Sequence, residues 1–200
     1  MLPGDAYAYP LADPRRHASD RQSGSGERDG QVETAAAATP LMVEEGEDAP
    51  AFAAPAAKPD GDIEAVSLSE LTAEGPVVLA FFPGAFTGVC TTEMETFDDR
   101  LAEAHEAGAE VVGVSIDSPF ALRAFADRHD LSFPLVGDTE KAVISAYDVR
   151  MDFDAFDLEG VARRAVFVVD ADGTVTYKWV AADPGLEPDY DAVLRAAADA

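Results

Sequence analysis

The sequence predicts an α/β domain with a mixed central sheet flanked by helices, and three observations carry that prediction. Residues 76–82 (PVVLAFF) form an unbroken apolar run, the mark of a strand buried on both faces. Strand and helix patterns alternate from Met42 onward, the order of a layered α/β fold. Near the end, residues 164–169 and 174–180 flank Asp170-Ala171-Asp172-Gly173, a hairpin signal that adds an antiparallel pair.

The elements follow in order. Val66, Ser67 and Leu68 lead into a short helical segment at 69–71. After the 76–82 strand, Met94, Phe97, Leu101 and Ala104 fall at helical spacing, with Glu95, Asp98, Asp99 and Glu103 on the wet side. Residues 111–116 read as a second buried strand, and Pro119–His129 as a helix with Phe120, Ala124 and Phe125 inward. A short strand at 133–136 and a short helix at 140–147 precede the hairpin. A last helix buries Tyr190, Val193, Leu194 and Ala197. No internal repeat is present.

Residues 1–41 differ from the rest. They contain no Phe, Ile or Trp and are rich in Gly, Pro, Ser, Asp and Arg. Such a stretch buries too little apolar surface to offset its ordering entropy, so it reads as a disordered N-terminal extension. Met42 is an alternative start, which would leave 1–41 untranslated; a functional tail is the other reading. The domain proper spans 42–200.

In 200 residues, Asp and Glu number 39 against 14 Lys and Arg, a formal charge of −25. The extension holds four Arg and six acids, so nearly all of that excess belongs to the domain. Nucleic acid and anionic membranes would repel such a chain, and neither is expected as a partner. Only Lys58, Lys141 and Lys178 are lysines. An acid-rich, Lys-poor surface suits very high salt, where the Debye length falls to about 3 Å, and points to a halophilic origin. An ordinary acidic soluble protein is the plainer alternative.

The single cysteine, Cys90, excludes an intrachain disulfide, a multi-thiolate zinc site and a Cys-x-x-Cys pair. A cytoplasmic location follows as the expectation. No apolar run reaches the roughly 18 residues of a membrane span. The N-terminus has no basic-then-apolar signal pattern, and Arg15-Arg16 precedes no hydrophobic segment. His17, His105 and His129 are too scattered for a metal or a catalytic dyad, and no phosphate loop or dinucleotide motif occurs. No cofactor and no metal are expected.

A lone Cys is usually a small buried hydrophobe. Cys90, however, follows a strand in Pro83-Gly84-Ala85-Phe86-Thr87-Gly88-Val89-Cys90 and stands in the expected first turn of a helix. There, free N–H groups and the positive dipole end stabilise a thiolate. Strand carboxyl ends are also where sites form in open α/β sheets.

Pro83-x-x-x-Thr87-x-x-Cys90 resembles the active-site signature of the peroxiredoxins, thiol peroxidases on a thioredoxin-like fold. The likeness runs from about Gly46 to Ala200. Ala49-Pro50-Ala51-Phe52 resembles the family's opening segment, residues 66–71 its lead into the first core strand, and Glu93 a residue many members have. Arg164-Ala165-Val166-Phe167-Val168-Val169-Asp170 resembles the strand that brings a catalytic Arg to the thiolate. The wording around Phe82–Gly88 is most similar to the one-cysteine, alkyl hydroperoxide reductase E type. The place where some members carry a resolving Cys is here Glu95, and no C-terminal Cys exists.

The resemblance implies catalytic roles for Cys90, Thr87, Arg164 and Pro83, with Glu93, Val89 and Phe86 supporting them. Cys90 would attack a hydrogen or organic peroxide and become a sulfenic acid. An external thiol would restore it: a small thiol, or a thioredoxin- or glutaredoxin-like protein. A homodimer or larger homo-oligomer is implied as well. A free thiol is only about 3% thiolate at pH 7, so complete ionisation gains about thirtyfold at most. The larger share of catalysis must stabilise charge on the leaving oxygen. Thr87, the N–H groups near Val89 and Cys90, and Arg164 would donate to it. Pro83 would shield the sulfur from water, and Glu93 would accept from Arg164.

On their own, Arg164 reads as a strand-edge residue reaching for water, Glu93 as a solvated helix residue and Thr87 as a helix cap. Arg163 is a rival to Arg164, but alternation sends the two to opposite faces. Phe81, Phe82 and Trp179 read as core or interface; Phe86 is placed beside the pocket. Two other functions fit the same Cys90: a peroxide sensor or redox-regulated interaction protein, and a structural module with an inert thiol.

Overall fold

The computed structural model describes residues 43–153 and 157–200. The 1–41 extension lies outside the described residues.

Strand β3 (Val77–Phe81) shows why its sequence is wholly apolar. Val78, Ala80 and the following Phe82 enter one core, whereas Val77, Leu79 and Phe81 enter another on the opposite face. Both faces of the sheet are covered, so alternation with polar residues is absent. Its neighbours are β4 (Glu110–Ser115), which runs parallel, and β8 (Ala165–Val169), which runs antiparallel. Beyond β4 lie β5 (Leu135–Gly137), β1 (Ala53–Ala57) and β2 (Ile63–Ser67); beyond β8 lies β9 (Val175–Val180). The seven-stranded order β2-β1-β5-β4-β3-β8-β9 is mixed, as expected.

One face carries α2 (Gly88–Asp99), α3 (Leu101–Glu106), α4 (Pro119–His129) and α6 (Tyr190–Ala198), which contribute Cys90, Met94, Phe97, Leu101, Leu122, Phe125 and Val193 to the core. The other carries α1 (Leu68–Thr72) and α5 (Ala142–Ala146). There Phe81, Tyr147 and Phe167 pack ring to ring at centroid distances of 5.1–5.7 Å. The hairpin turn forms as anticipated: Gly173 takes φ +86° and Asp170 Oδ1 accepts from the amides of Asp172 and Thr174.

Several expectations need correction. Phe120 and Ala124 are exposed, and α4 instead buries Leu122, Phe125 and Ala126. Phe120 and Ala124, four residues apart, share the helix face opposite the stripe of Pro119, Leu122, Phe125 and Ala126 that meets the sheet, so their apolar character does not place them inward. The helix drawn through Ala104 is two, because the chain breaks at Arg100 (φ −105°, ψ 8°). Two hairpins went unread: β1–β2, and β6 (Arg150–Phe153) with β7 (Leu158–Ala162), a separate two-stranded sheet.

The outer edge of β9 is covered by the chain's own residues 44–48. Gly46 N donates to the Val175 carbonyl, Val175 N to the Glu47 carbonyl, and Lys178 N to Glu45 Oε1. Lys178 Nζ pairs with Glu44 at 2.9 Å. Among the described residues, no helix is long and apolar enough to cross a membrane.

Candidate active site

The sheet topology alone brings the site together. Strands β3 and β4 are parallel and end at the same edge, and antiparallel β8 begins there, with Ala165 opposite Phe81. Residues just after β3 and β4 and just before β8 therefore converge, although they lie far apart in sequence.

After β3 the chain turns through buried Pro83 and half-buried Gly84 and Ala85 to Thr87, the N-cap of α2. Thr87 has the extended backbone of a cap (φ −94°, ψ 149°), but its side chain makes no capping bond. Its hydroxyl donates to the Gly84 carbonyl at 3.0 Å. The hydroxyl proton expected to serve the leaving oxygen is thus given to the backbone. Cys90 is the third residue of α2, only 2% exposed, in the first turn as anticipated, with Val89 half-buried before it.

Arg164 precedes β8 and is 1% exposed; Arg163 beside it is half-buried. Arg164 Nη2 donates to Cys90 Sγ at 3.4 Å, and Nη1 donates to Glu93 Oε2. The Pro184 carbonyl accepts from Nε and Nη2 at 3.4 and 3.3 Å, which fixes the plane of the guanidinium. Glu93, one turn beyond Cys90 at helical spacing, is 0% exposed. Burial pushes its carboxyl up to about 8 against the pull of Arg164, and the charge of Glu187 adds to the rise. Burial opposes the Arg164 charge, but Glu93 and Cys90 outweigh it and raise the guanidinium's pKa. Tyr190 holds Glu187 by an O–H···O bond of 2.6 Å and packs its ring on Phe97.

Phe86 is exposed, with φ +62°, and sets its ring edge-on against Phe125 at 5.2 Å. Phe125 also contacts His129, whose Nδ1 lies 2.9 Å from Glu95 Oε1. Trp179 packs on the core from a half-buried position.

Sequence reasoning missed Asp117, which follows β4 and accepts from Ala85 N at 2.8 Å. The signal lay in a polar Ser115-Ile116-Asp117-Ser118 cluster at the carboxyl end of an apolar strand, where parallel sheets build sites. It missed the Pro184 carbonyl too, since a main-chain acceptor has no residue-type signature.

A guanidinium between a sulfur and a carboxyl group, at a helix N-terminus and shielded from water, can hold a thiolate and donate to an oxygen that gains charge beside it. Comparison with known proteins identifies the scaffold that carries this arrangement. Residues 46–178 match the model of the AhpC/TSA family. The chain belongs to that family. It is a peroxiredoxin, a thiol-dependent peroxidase and hence an oxidoreductase, with a thioredoxin-like fold.

A chloroplastic 2-cysteine peroxiredoxin of Chattonella marina var. antiqua is 37% identical over 147 residues, covering 70% of this chain and 72% of the relative. Among solved structures, reduced 2-Cys peroxiredoxin of Plasmodium vivax superposes with TM-score 0.69 at 28% identity, covering 79% of this peroxiredoxin and 81% of that chain. Peroxidoxin BcpB of Mycobacterium tuberculosis does so with TM-score 0.67 at 29% identity, covering 78% and 96%. The first two are named for two cysteines; this peroxiredoxin has one.

Proposed function

We propose that this peroxiredoxin works through Cys90 alone. The thiolate attacks the terminal oxygen of a hydrogen or organic peroxide, the O–O bond breaks, and the departing alkoxide or hydroxide takes a proton to leave as alcohol or water. Cys90 becomes a sulfenic acid. One external thiol displaces water from it to form a mixed disulfide, and a second regenerates Cys90 as the external disulfide departs. The observation that carries this reading is the Arg164 guanidinium held against both Cys90 and Glu93 in a water-poor site.

In this reading Arg164 stabilises the thiolate and the leaving oxygen, Glu93 sets the Arg164 rotamer, and Pro83 excludes water. Thr87 and the amides of Val89 and Cys90 contact the peroxide, and Phe86 walls the approach. The single cysteine and the Phe82–Gly88 wording favour the alkyl hydroperoxide reductase E type. The reductant is a low-molecular-weight thiol or a thioredoxin- or glutaredoxin-like protein, the assembly a homodimer or larger homo-oligomer, and the setting a salt-rich cytoplasm.

Stopped-flow consumption of peroxide with a thiol donor tests the mechanism: Cys90→Ser should abolish turnover, and normal turnover in that variant overturns it. The burial of Cys90 favours one further reading, a peroxide sensor, because a shielded sulfenic acid is slow to meet thiols. Rapid multiple turnover excludes the sensor; an oxidised form that persists in excess thiol selects it.

A further inference from the structure

The peptide unit joining Gly84 to Ala85 is held at both ends. Its N–H, on Ala85, donates to Asp117 Oδ2 at 2.8 Å; its carbonyl, on Gly84, accepts from the Thr87 hydroxyl at 3.0 Å. A peptide is planar and rigid, so the direction of its N–H dictates the direction of its carbonyl. We propose that Asp117 is a positioning residue for peroxide reduction, orienting the Gly84 carbonyl so that it takes the Thr87 proton and leaves the Thr87 oxygen as an acceptor for substrate. The proposal rests on the assignment of Thr87 to the peroxide site.

A hydroxyl has one proton to give. With that proton committed to Gly84, Thr87 offers lone pairs alone, and the natural complement is the O–H of a hydroperoxide. Were the 84–85 peptide to flip, an N–H would face Thr87 and the hydroxyl would turn from acceptor to donor towards the site. Flipping is a real hazard here, because the next residue is strained. Phe86 sits at φ +62° without being Gly, Asn or Asp, a strained conformation that persists only where neighbours enforce it. Two contacts enforce it: the Asp117 bond on the preceding residue and the Phe86 ring against Phe125.

Asp117 is itself held. Its Oδ2 also accepts from Ser115 Oγ at 2.8 Å, and Ser115 is fully buried in β4. In a chain of charge −25, a further carboxylate beside a loop that serves an anionic sulfur is electrostatically unfavourable. Its placement is explained by geometry: an acceptor that takes two donors on one oxygen and ties β4 to the loop after β3.

The test compares peroxide oxidation of Cys90 with its alkylation by iodoacetamide at one pH, since the alkylating agent has no O–H to orient. Asp117→Ala should slow the peroxide reaction by about tenfold or more and leave alkylation within about twofold. Asp117→Asn, whose amide oxygen still accepts from Ala85, should return the peroxide rate to within about threefold of the parent. In a Thr87→Val background, Asp117→Ala should add less than about twofold, because the two residues act in series. An unchanged peroxide rate, an equal loss of alkylation, no recovery with Asn, or full additivity with Thr87→Val each overturns the proposal. If Asp117→Ala does not fold, Ser115→Ala releases the carboxylate without deleting it: peroxide-specific slowing supports the role and an unchanged rate overturns it. Absence of peroxide turnover in the unmodified protein, measured first, would count against the proposed function instead.

Discussion

Arg164 and Cys90 are 74 residues apart in sequence, yet Nη2 of one lies 3.4 Å from Sγ of the other. The contact exists because β8 begins where β3 ends, and no local feature of either segment would produce it.

That contact predicts a large kinetic effect. Arg164→Ala should lower the second-order rate with hydrogen peroxide by about a hundredfold to a thousandfold, as loss of a charge-directed donor does. Ionisation of the thiol accounts for about thirtyfold at most, so a smaller loss in stopped-flow would refute transition-state stabilisation by Arg164. Arg164→Lys should recover little, because one ammonium cannot span the sulfur, Glu93 and the Pro184 carbonyl together.

Glu93 predicts a pH dependence of stability. Its carboxyl is raised from the ordinary 4.5 to about 8 by burial. A raised acid binds its proton more tightly in the folded state, so its contribution is full below 4.5 and drains away as pH rises towards 8. Glu93→Gln keeps the shape without the ionisation. The melting temperature of that variant, relative to the parent, should climb from pH 5 to pH 8; a constant difference would contradict the assignment.

Gly137 predicts a steric cost. A Cβ there would stand 2.8 Å from the Asp117 carbonyl oxygen and 2.9 Å from Pro119 N, both main-chain atoms that cannot swing aside. Gly137→Ala should destabilise by about 1–3 kcal/mol in chemical denaturation, and it should slow peroxide reduction as well by displacing Asp117.

Phe125, fully buried beneath Phe86, joins core and loop. Phe125→Ala should cost about 3–5 kcal/mol of stability, read from the denaturation midpoint. An exposed control, Phe120→Ala, should stay within about 0.5 kcal/mol.

The acid excess predicts a response to salt. With 39 acidic and 14 basic side chains, self-repulsion is screened by added ions, so the melting temperature should rise from 0.1 M to molar KCl, scales on which the Debye length falls from about 10 to about 3 Å. A fall across that range would refute adaptation of the surface to salt.

What could be read in the sequence follows the physics of each element. Strand β3 was legible because an unbroken apolar run is a local signal, and the extent of α4, Pro119 to His129, was legible as well. Strand β1 was not: Ala53–Ala57 has no β-branched residue and contains Pro55, and it becomes a strand through pairing with β2 and, at Ala56 and Ala57, with β5. The inward face of α4 was misread because Phe120 and Ala124 are apolar yet share the face opposite the stripe that begins at Pro119. Cys90, Glu93 and Arg164 were found by resemblance and stand together. Asp117 and the Pro184 carbonyl escaped because their partners are backbone atoms, which composition does not record.

Residues 44–48 along β9 carry a lesson about where this protein can be cut. The family match begins at Gly46 and stops at Lys178. Trimming to that match would remove Val43 from its buried niche and strip the Glu44 and Glu45 carboxylates from Lys178. At the other end it would delete the Pro184 carbonyl that steadies Arg164 and the whole of α6, uncovering the core against which Val193 and Ala197 pack. The segment recognisable by kinship is therefore smaller than the fold, and a shortened form, its β9 ended at Lys178, would leave Ala165 and Val166 of β8 as an open edge ready to pair with its own kind.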